Sequence, residues 1–349
     1  MSSMQRREFI AAVGATAASA VSQSSPIYAQ AIGGVAHRTV VANGIHLHFA
    51  EQGEGPLVVL CHGFPESWYS WRHQLPALSA AGFRAVAVDM RGYGRSDRPE
   101  AIDQYTLLHL VGDMVGLLDA LGAEQAVIAG HDWGAPVAWH AALLRPDRFR
   151  AVIGLSVPFR SRSVVFPNPS DARPTSVMPH RDDAIFYQLY FQAPGVAEAE
   201  LEHDVRQTFV KLLANPPSER PAIPWEPRDG GWLALGPTAA ALPAWLTEAD
   251  IDFYTGEFKR TGFRGSLNWY RNIDRNWELL APFAGAKVTV PALYMTGDRP
   301  APQQEVIAGL ANDVPRLRRA IVLRDCGHWA QQERPSEVNA AMIDFLRQL

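Results

Sequence analysis

Gly130-His131-Asp132-Trp133-Gly134 lies between the apolar run Ala126 to Ala129 and a helical pattern that begins at Ala135, and its reading decides the fold. Small residues two before and two after a central acid are what a cramped strand-to-helix turn requires, because larger side chains would collide with the reversing backbone. Working outward, Leu57-Val58-Val59-Leu60, Ala85 to Val88 and Ala151 to Leu155 read as further buried strands. Helical periodicity fills the gaps, over Tyr105 to Leu121 and Ala135 to Leu144. That alternation predicts an α/β fold, a mostly parallel sheet flanked by helices on both faces.

Asn43-Gly44, between His37 to Ala42 and Ile45 to Glu51, predicts a hairpin at the start of the sheet. After about Ser156 the alternation breaks. Up to about Ala284 the chain is rich in Pro, aromatic residues and short helical patterns, with no strand runs, which reads as an inserted helical cap. Strand runs resume at Pro291 to Met295 and Ala320 to Leu323, and an amphipathic helix over Ser336 to Leu349 ends the chain. The expected organisation is a core of residues 36–156 and 285–349 with a cap of residues 157–284.

The composition limits the partners. With 349 residues, 47% hydrophobic content and a formal charge of -4, the chain can bury a large core and carries no basic stripe for nucleic acid. Arg6-Arg7 before an apolar run to Val21, then Ala29-Gln30-Ala31, resembles a twin-arginine export signal over residues 1–31. Phe9 to Val21 is shorter than the roughly 20 residues of a spanning helix, so no stable membrane anchor is expected once the signal is removed. The expected destination is the periplasm or the exterior. Cys61 and Cys326 fall on strands expected to lie apart, so they read as buried thiols rather than a bridge. No His/Cys cluster with metal-ligand spacing occurs, and no cofactor is expected. The oligomeric state is not legible in the sequence.

Chemistry enters at the elbow. Asp132 would project from the carboxyl edge of the sheet, where the following helix's free amides favour an anion; the plainer use of such an Asp is to cap that helix. As a nucleophile, a carboxylate attacks an sp3 carbon and forms an alkyl ester that water must then cleave, which points to epoxides or alkyl halides. His62-Gly63-Phe64-Pro65-Glu66 follows the strand ending at Cys61, and there the Phe64 amide, with that of Trp133, can form an oxyanion hole. His62 reads better as a loop brace than as a base. His328, in Asp325-Cys326-Gly327-His328-Trp329 after the last strand, can deprotonate the water; an ordinary surface His is the alternative.

Taken with Asp89-Met90-Arg91-Gly92-Tyr93-Gly94, Tyr187-Gln188-Leu189-Tyr190-Phe191, Gly262-Phe263-Arg264-Gly265 and Asn268-Trp269-Tyr270-Arg271, these motifs make residues 37 to 348 resemble a soluble epoxide hydrolase of the α/β-hydrolase fold. The resemblance implies that Tyr187 and Tyr270 bind and protonate the epoxide oxygen, with Tyr190 a competitor for the first role. It also implies a cis peptide before Pro65 and a pocket edged by His62, Pro65 and Trp269. The substrates would be a small epoxide and water. One departure stands out. The acid that orients the catalytic His would fall at Pro300, whose side chain accepts no hydrogen bond; Asp298 is the nearest substitute, provided its loop rearranges toward His328. Two other readings share these residues: a haloalkane or haloacid dehalogenase, with Trp133 as a halide donor, and a non-catalytic binding protein that kept the pocket. Phe186, Phe191, Trp269 and Trp277 fit either an apolar pocket or plain core.

Overall fold

The computed structural model describes residues 33–162, 172–180, 182, 184–214, 225–227, 231, 233, 241–299 and 304–349. Residues 1–31, where the export signal is expected, and Pro300 lie outside them. Residues Gly34–Leu349 form one compact unit.

The hairpin forms as expected. Strands β1 (Ala36–Ala42) and β2 (Ile45–Gln52) pair antiparallel around Asn43 and Gly44, both at positive φ (49° and 79°). β3 (Leu57–Cys61), β4 (Arg84–Val88), β5 (Ala126–His131) and β6 (Phe149–Leu155) follow. The sheet closes with β9 (Ala292–Gly297) and β10 (Leu317–Leu323), after two short strands, β7 (Ala184–Phe186) and β8 (Trp225–Pro227), outside it. The order is β1-β2-β4-β3-β5-β6-β9-β10, and every pair from β4 to β10 is parallel. β3, β5 and β9 are buried at every residue, as strands covered on both faces must be. Deleting a side chain such as Ile128 or Leu293 from that layer would cost about 2–5 kcal/mol.

The helix Leu107–Ala120 shows how sequence sets the flanking layer. Thr106 caps it by accepting from the His109 amide, and Leu107, Leu110, Val111, Met114, Leu117 and Leu118 recur at helical spacing to make the buried face. Gly122, at φ 65°, turns the chain out of it.

Between β6 and β9 lie the helices Val196–His203, Val205–Ala214, Glu248–Thr261, Arg264–Arg271 and Ile273–Leu279. The segment is not free of strands, as its sequence led us to expect: β7 and β8 form an antiparallel pair. Three-residue strands are too short to show alternation, and one of these contains a proline.

Register places the chemistry. Cys61 pairs with Gly130, Gly130 with Gly154, Leu155 with Met295, and Gly297 with Leu323. The loops leaving these strands therefore emerge side by side, carrying His62, Asp132, Ser156, Asp298 and His328 to one edge.

Candidate active site

Asp132 sits at φ 51°, a left-handed conformation that a non-glycine residue adopts only when its surroundings impose it. The surroundings are tight. A Cβ on Gly130 would lie 2.0 Å from the Gly134 carbonyl oxygen, and one on Gly134 would lie 2.1 Å from that of Cys61. The helix Gly134–Leu144 starts at once, with Trp133 and not Asp132 in the N-cap position. The carboxylate is therefore turned away from helix capping.

Its two oxygens have different partners. Oδ1 accepts from the Phe64 amide at 2.7 Å, and Oδ2 lies 3.3 Å from His328 Nε2. Burial works against ionisation of Asp132, but His328, His131 and the Phe64 amide outweigh it and hold the carboxyl below its ordinary range. It is a carboxylate at neutral pH. The Phe64-Pro65 peptide is cis. A Cβ on Gly63 would fall 2.3 Å from Asp132 Oδ1 and 2.6 Å from the Trp133 nitrogen, so only glycine fits where that loop passes the elbow.

Above the carboxylate stand the two tyrosines. The rings of Tyr187 and Tyr270 are 6.0 Å apart, and Tyr270 packs edge-on against Phe64 (5.5 Å) and Trp133 (5.2 Å). Burial, reinforced by Tyr187 and Asp132, raises the Tyr270 phenol well above its ordinary pKa despite a hydrogen bond with the Trp133 side chain. Tyr270 therefore stays protonated far into alkali. Gln188 Nε2 donates to the Tyr187 hydroxyl at 2.9 Å. Tyr190, the competitor, instead gives its hydroxyl proton to Glu200 at 2.8 Å.

The remaining expected residues divide. His62 is fully buried, with Nδ1 against the Gly63 carbonyl (2.9 Å) and Nε2 accepting from the Met90 amide (3.1 Å), so it braces the loop. Trp269 is likewise buried, its indole N–H given to the Arg91 carbonyl at 3.0 Å, and packs behind Trp133. Phe191 and Phe186 are buried beside Tyr187, whereas Trp277 stacks under the Arg162 guanidinium. Asp298 is not brought to His328. Its oxygens accept from the amides of Asp325 (3.1 Å) and Cys326 (3.2 Å), which holds the carboxylate at the base of that loop. Cys61 and Cys326 are buried free thiols. Among the described residues there is no metal-binding cluster and no helix long and apolar enough to cross a membrane.

Residues 56–335 match the family described as alpha/beta hydrolase fold. The chain is 46% identical over 333 residues to Epoxide hydrolase A of Mycobacterium tuberculosis, covering 90% of this chain and 98% of that protein. It is 45% identical over 320 residues to Epoxide hydrolase 3 of Siraitia grosvenorii, covering 89% and 98%. The solved structure of an epoxide hydrolase from an endophytic Streptomyces superposes with a TM-score of 0.83 at 48% identity, across 90% of this chain and 96% of that one. The chain belongs to the epoxide hydrolases of the α/β-hydrolase fold.

Around the site of this epoxide hydrolase the structure shows partners that motif reading passed over. Glu66 accepts from His131 Nδ1 (2.9 Å), Gln332 Nε2 (2.7 Å) and Gln331 Nε2 (3.2 Å). His131 Nε2 and Ser156 Oγ both reach the His328 carbonyl, at 2.7 and 2.8 Å. Glu66 and His131 lie inside motifs that the sequence offered. Ser156 is marked only by its place directly after β6.

Proposed function

We propose that this protein opens an epoxide to a vicinal diol through a covalent ester on Asp132. The observation that carries the reading is the Asp132 carboxylate: one oxygen fixed by the Phe64 amide, the other beside His328, under the Tyr187 and Tyr270 pair. Oδ2 attacks an epoxide carbon, the C–O bond breaks, and the departing oxygen takes a proton from a tyrosine. Tyr270, held protonated by burial, suits that role. His328 Nε2 then removes a proton from water, and the hydroxide adds to the ester carbonyl carbon. Charge develops on Oδ1, where the Phe64 and Trp133 amides receive it. Collapse releases the diol, its alkoxide reprotonated by the imidazolium, and the carboxylic acid left on Asp132 returns its proton to the tyrosinate, which restores both groups.

Dehalogenation is less well supported. A leaving halide needs indole or amide N–H donors, and here Trp269 has given its N–H to Arg91 while the Trp133 side chain engages Tyr270. The test is a single turnover of styrene oxide in oxygen-18 water. We expect unlabelled diol, label in the Asp132 carboxylate, and no diol from Asp132→Asn before deamidation restores it. Label in the diol, or full activity in the variant, would exclude the ester. A protein that only binds would form no adduct by intact mass.

We further infer export, supported by Arg6-Arg7, the apolar run and Ala29-Gln30-Ala31. In a bacterium with a twin-arginine pathway, the wild-type chain should be found processed outside the cytoplasm. Arg6→Lys with Arg7→Lys should leave it inside at full length; equal partition of the two would refute the signal.

A further inference from the structure

His328 is the centre of an arrangement that the expected acid does not explain. Its imidazole meets one carboxylate, Asp132, through Nε2 at 3.3 Å. Among the described residues no acid lies on Nδ1. Asp298 is committed to the amides of residues 325 and 326, and both Glu333 oxygens are committed as well, to the amides of Gly327 (2.7 Å) and Trp329 (2.8 Å). Proline at 300 has no side-chain acceptor to offer.

The backbone around His328, by contrast, is fixed at three successive residues. The amides on either side share the one carboxylate of Glu333, which lies at the end of the short helix Ala330–Glu333. The carbonyl of His328 accepts from two donors, Ser156 Oγ and His131 Nε2, which fill its two lone pairs. Ser156 itself is at φ 65°, so the chain leaving β6 is bent into a left-handed turn where its hydroxyl reaches that carbonyl. The ring then packs between those of His131 (4.8 Å) and Trp329 (4.7 Å).

We propose that Ser156 and Glu333 are positioning residues for His328: they orient the base through its main chain, in place of an acid on its ring. This rests on the covalent route proposed above. Orientation survives without the acid, but the imidazolium formed when water is deprotonated gains no carboxylate on Nδ1 from any described residue. Ester hydrolysis is therefore the slow step, and the alkyl ester on Asp132 builds up.

The experiment is rapid-quench single turnover with styrene oxide, following ester by intact mass and diol by chromatography. Wild type should accumulate ester. Ser156→Ala and Glu333→Gln should slow ester decay about 10- to 100-fold, the scale expected for a misplaced base, with ester formation within about twofold of wild type. Ser156→Asn, which tolerates a left-handed backbone and restores a donor, should recover most of the loss. Equal losses in both steps, or unchanged decay, would overturn the proposal.

A second measurement stands apart from activity. In nitrogen-15 histidine spectra, with His328 assigned by His328→Gln, wild type should lack a carboxylate-bound Nδ1–H resonance. Ser156→Ala and Glu333→Gln should shift the His328 signals while those of His62 stay. A carboxylate-bound Nδ1–H that disappears in Asp298→Asn would return the role to that acid. If no ester or diol forms from any epoxide, the covalent reading fails, and these spectra still decide the clamp.

Discussion

Around His131 both ring nitrogens face acceptors, Glu66 Oε2 on one side and the His328 carbonyl on the other, so both carry protons. Burial alone would disfavour that imidazolium, but the Glu66 carboxylate, with Asp132 and the carbonyl, prevails and raises the His131 pKa above 6.5. A raised folded-state value means the unfolded chain releases this proton first. The resulting stability is fully present below pH 6.5 and is lost as pH rises through the raised value. In Glu66→Gln that contribution should vanish, at a cost of about 3–5 kcal/mol for breaking a buried pair. Urea unfolding of both proteins from pH 6 upward, as about one-unit steps, measures it. The gap between them should narrow as pH rises; a gap constant with pH would mean that His131 is neutral in the fold. Sequence reading singled out Asp132 and His328 more readily than these, because a strand-to-helix elbow and the loop after the last strand are marked by local pattern. Partners such as Glu66 and Ser156 are defined by contacts across elements, which no local pattern encodes.

At the scale of elements, the middle of the sheet was legible because β3, β5 and β9 are buried on both faces. Leu57–Cys61 and Ala126–His131 are almost wholly apolar and bounded by turn residues, so their limits agree with the pattern to within about two residues. The elbow was legible for a steric reason: only glycine fits at 130, where a Cβ would meet the Gly134 carbonyl oxygen at 2.0 Å, and at 134, where it would meet that of Cys61 at 2.1 Å. Between β6 and β9 the signals weaken. The helix Glu248–Thr261 announces itself through Thr247 and Asp250 in a capping box, whereas β7 is three residues long and only its pairing with β8 makes it a strand. The loop after β9 misled most. Asp298 looks like an available acid in sequence, yet its position one residue past the strand points the carboxylate at the amides of the neighbouring loop. Loop direction, set by where β9 ends against β10, is a property of the sheet and not of the four residues Gly297 to Pro300.

For the whole molecule, the question is how the segment over the site is joined to the sheet beneath it. A buried polar chain runs from one to the other. Asp250, near the start of the helix Glu248–Thr261, uses Oδ2 to cap that helix and Oδ1 to bind Arg72 Nε at 3.1 Å. Arg72 Nη1 donates to Gln332 Oε1 at 2.5 Å, and Gln332 passes to Glu66, the partner of His131. Arg72 and Asp250 are each only 5% exposed, so neither charge can fall back on water. Unfolding the helix alone would strand the guanidinium inside the core, which ties the two parts into one cooperative unit, in keeping with the single compact body of Gly34–Leu349. Arg72→Met leaves the Asp250 carboxylate buried without its countercharge and should cost about 3–5 kcal/mol in urea unfolding. Adding Asp250→Asn removes that charge while keeping an oxygen for the helix cap, and should restore about 1 kcal/mol or more. Tryptophan fluorescence and far-ultraviolet dichroism should report one shared transition in the wild type. Two separated transitions there, or a double variant no better than Arg72→Met, would mean that the helical segment holds itself together independently of this pair.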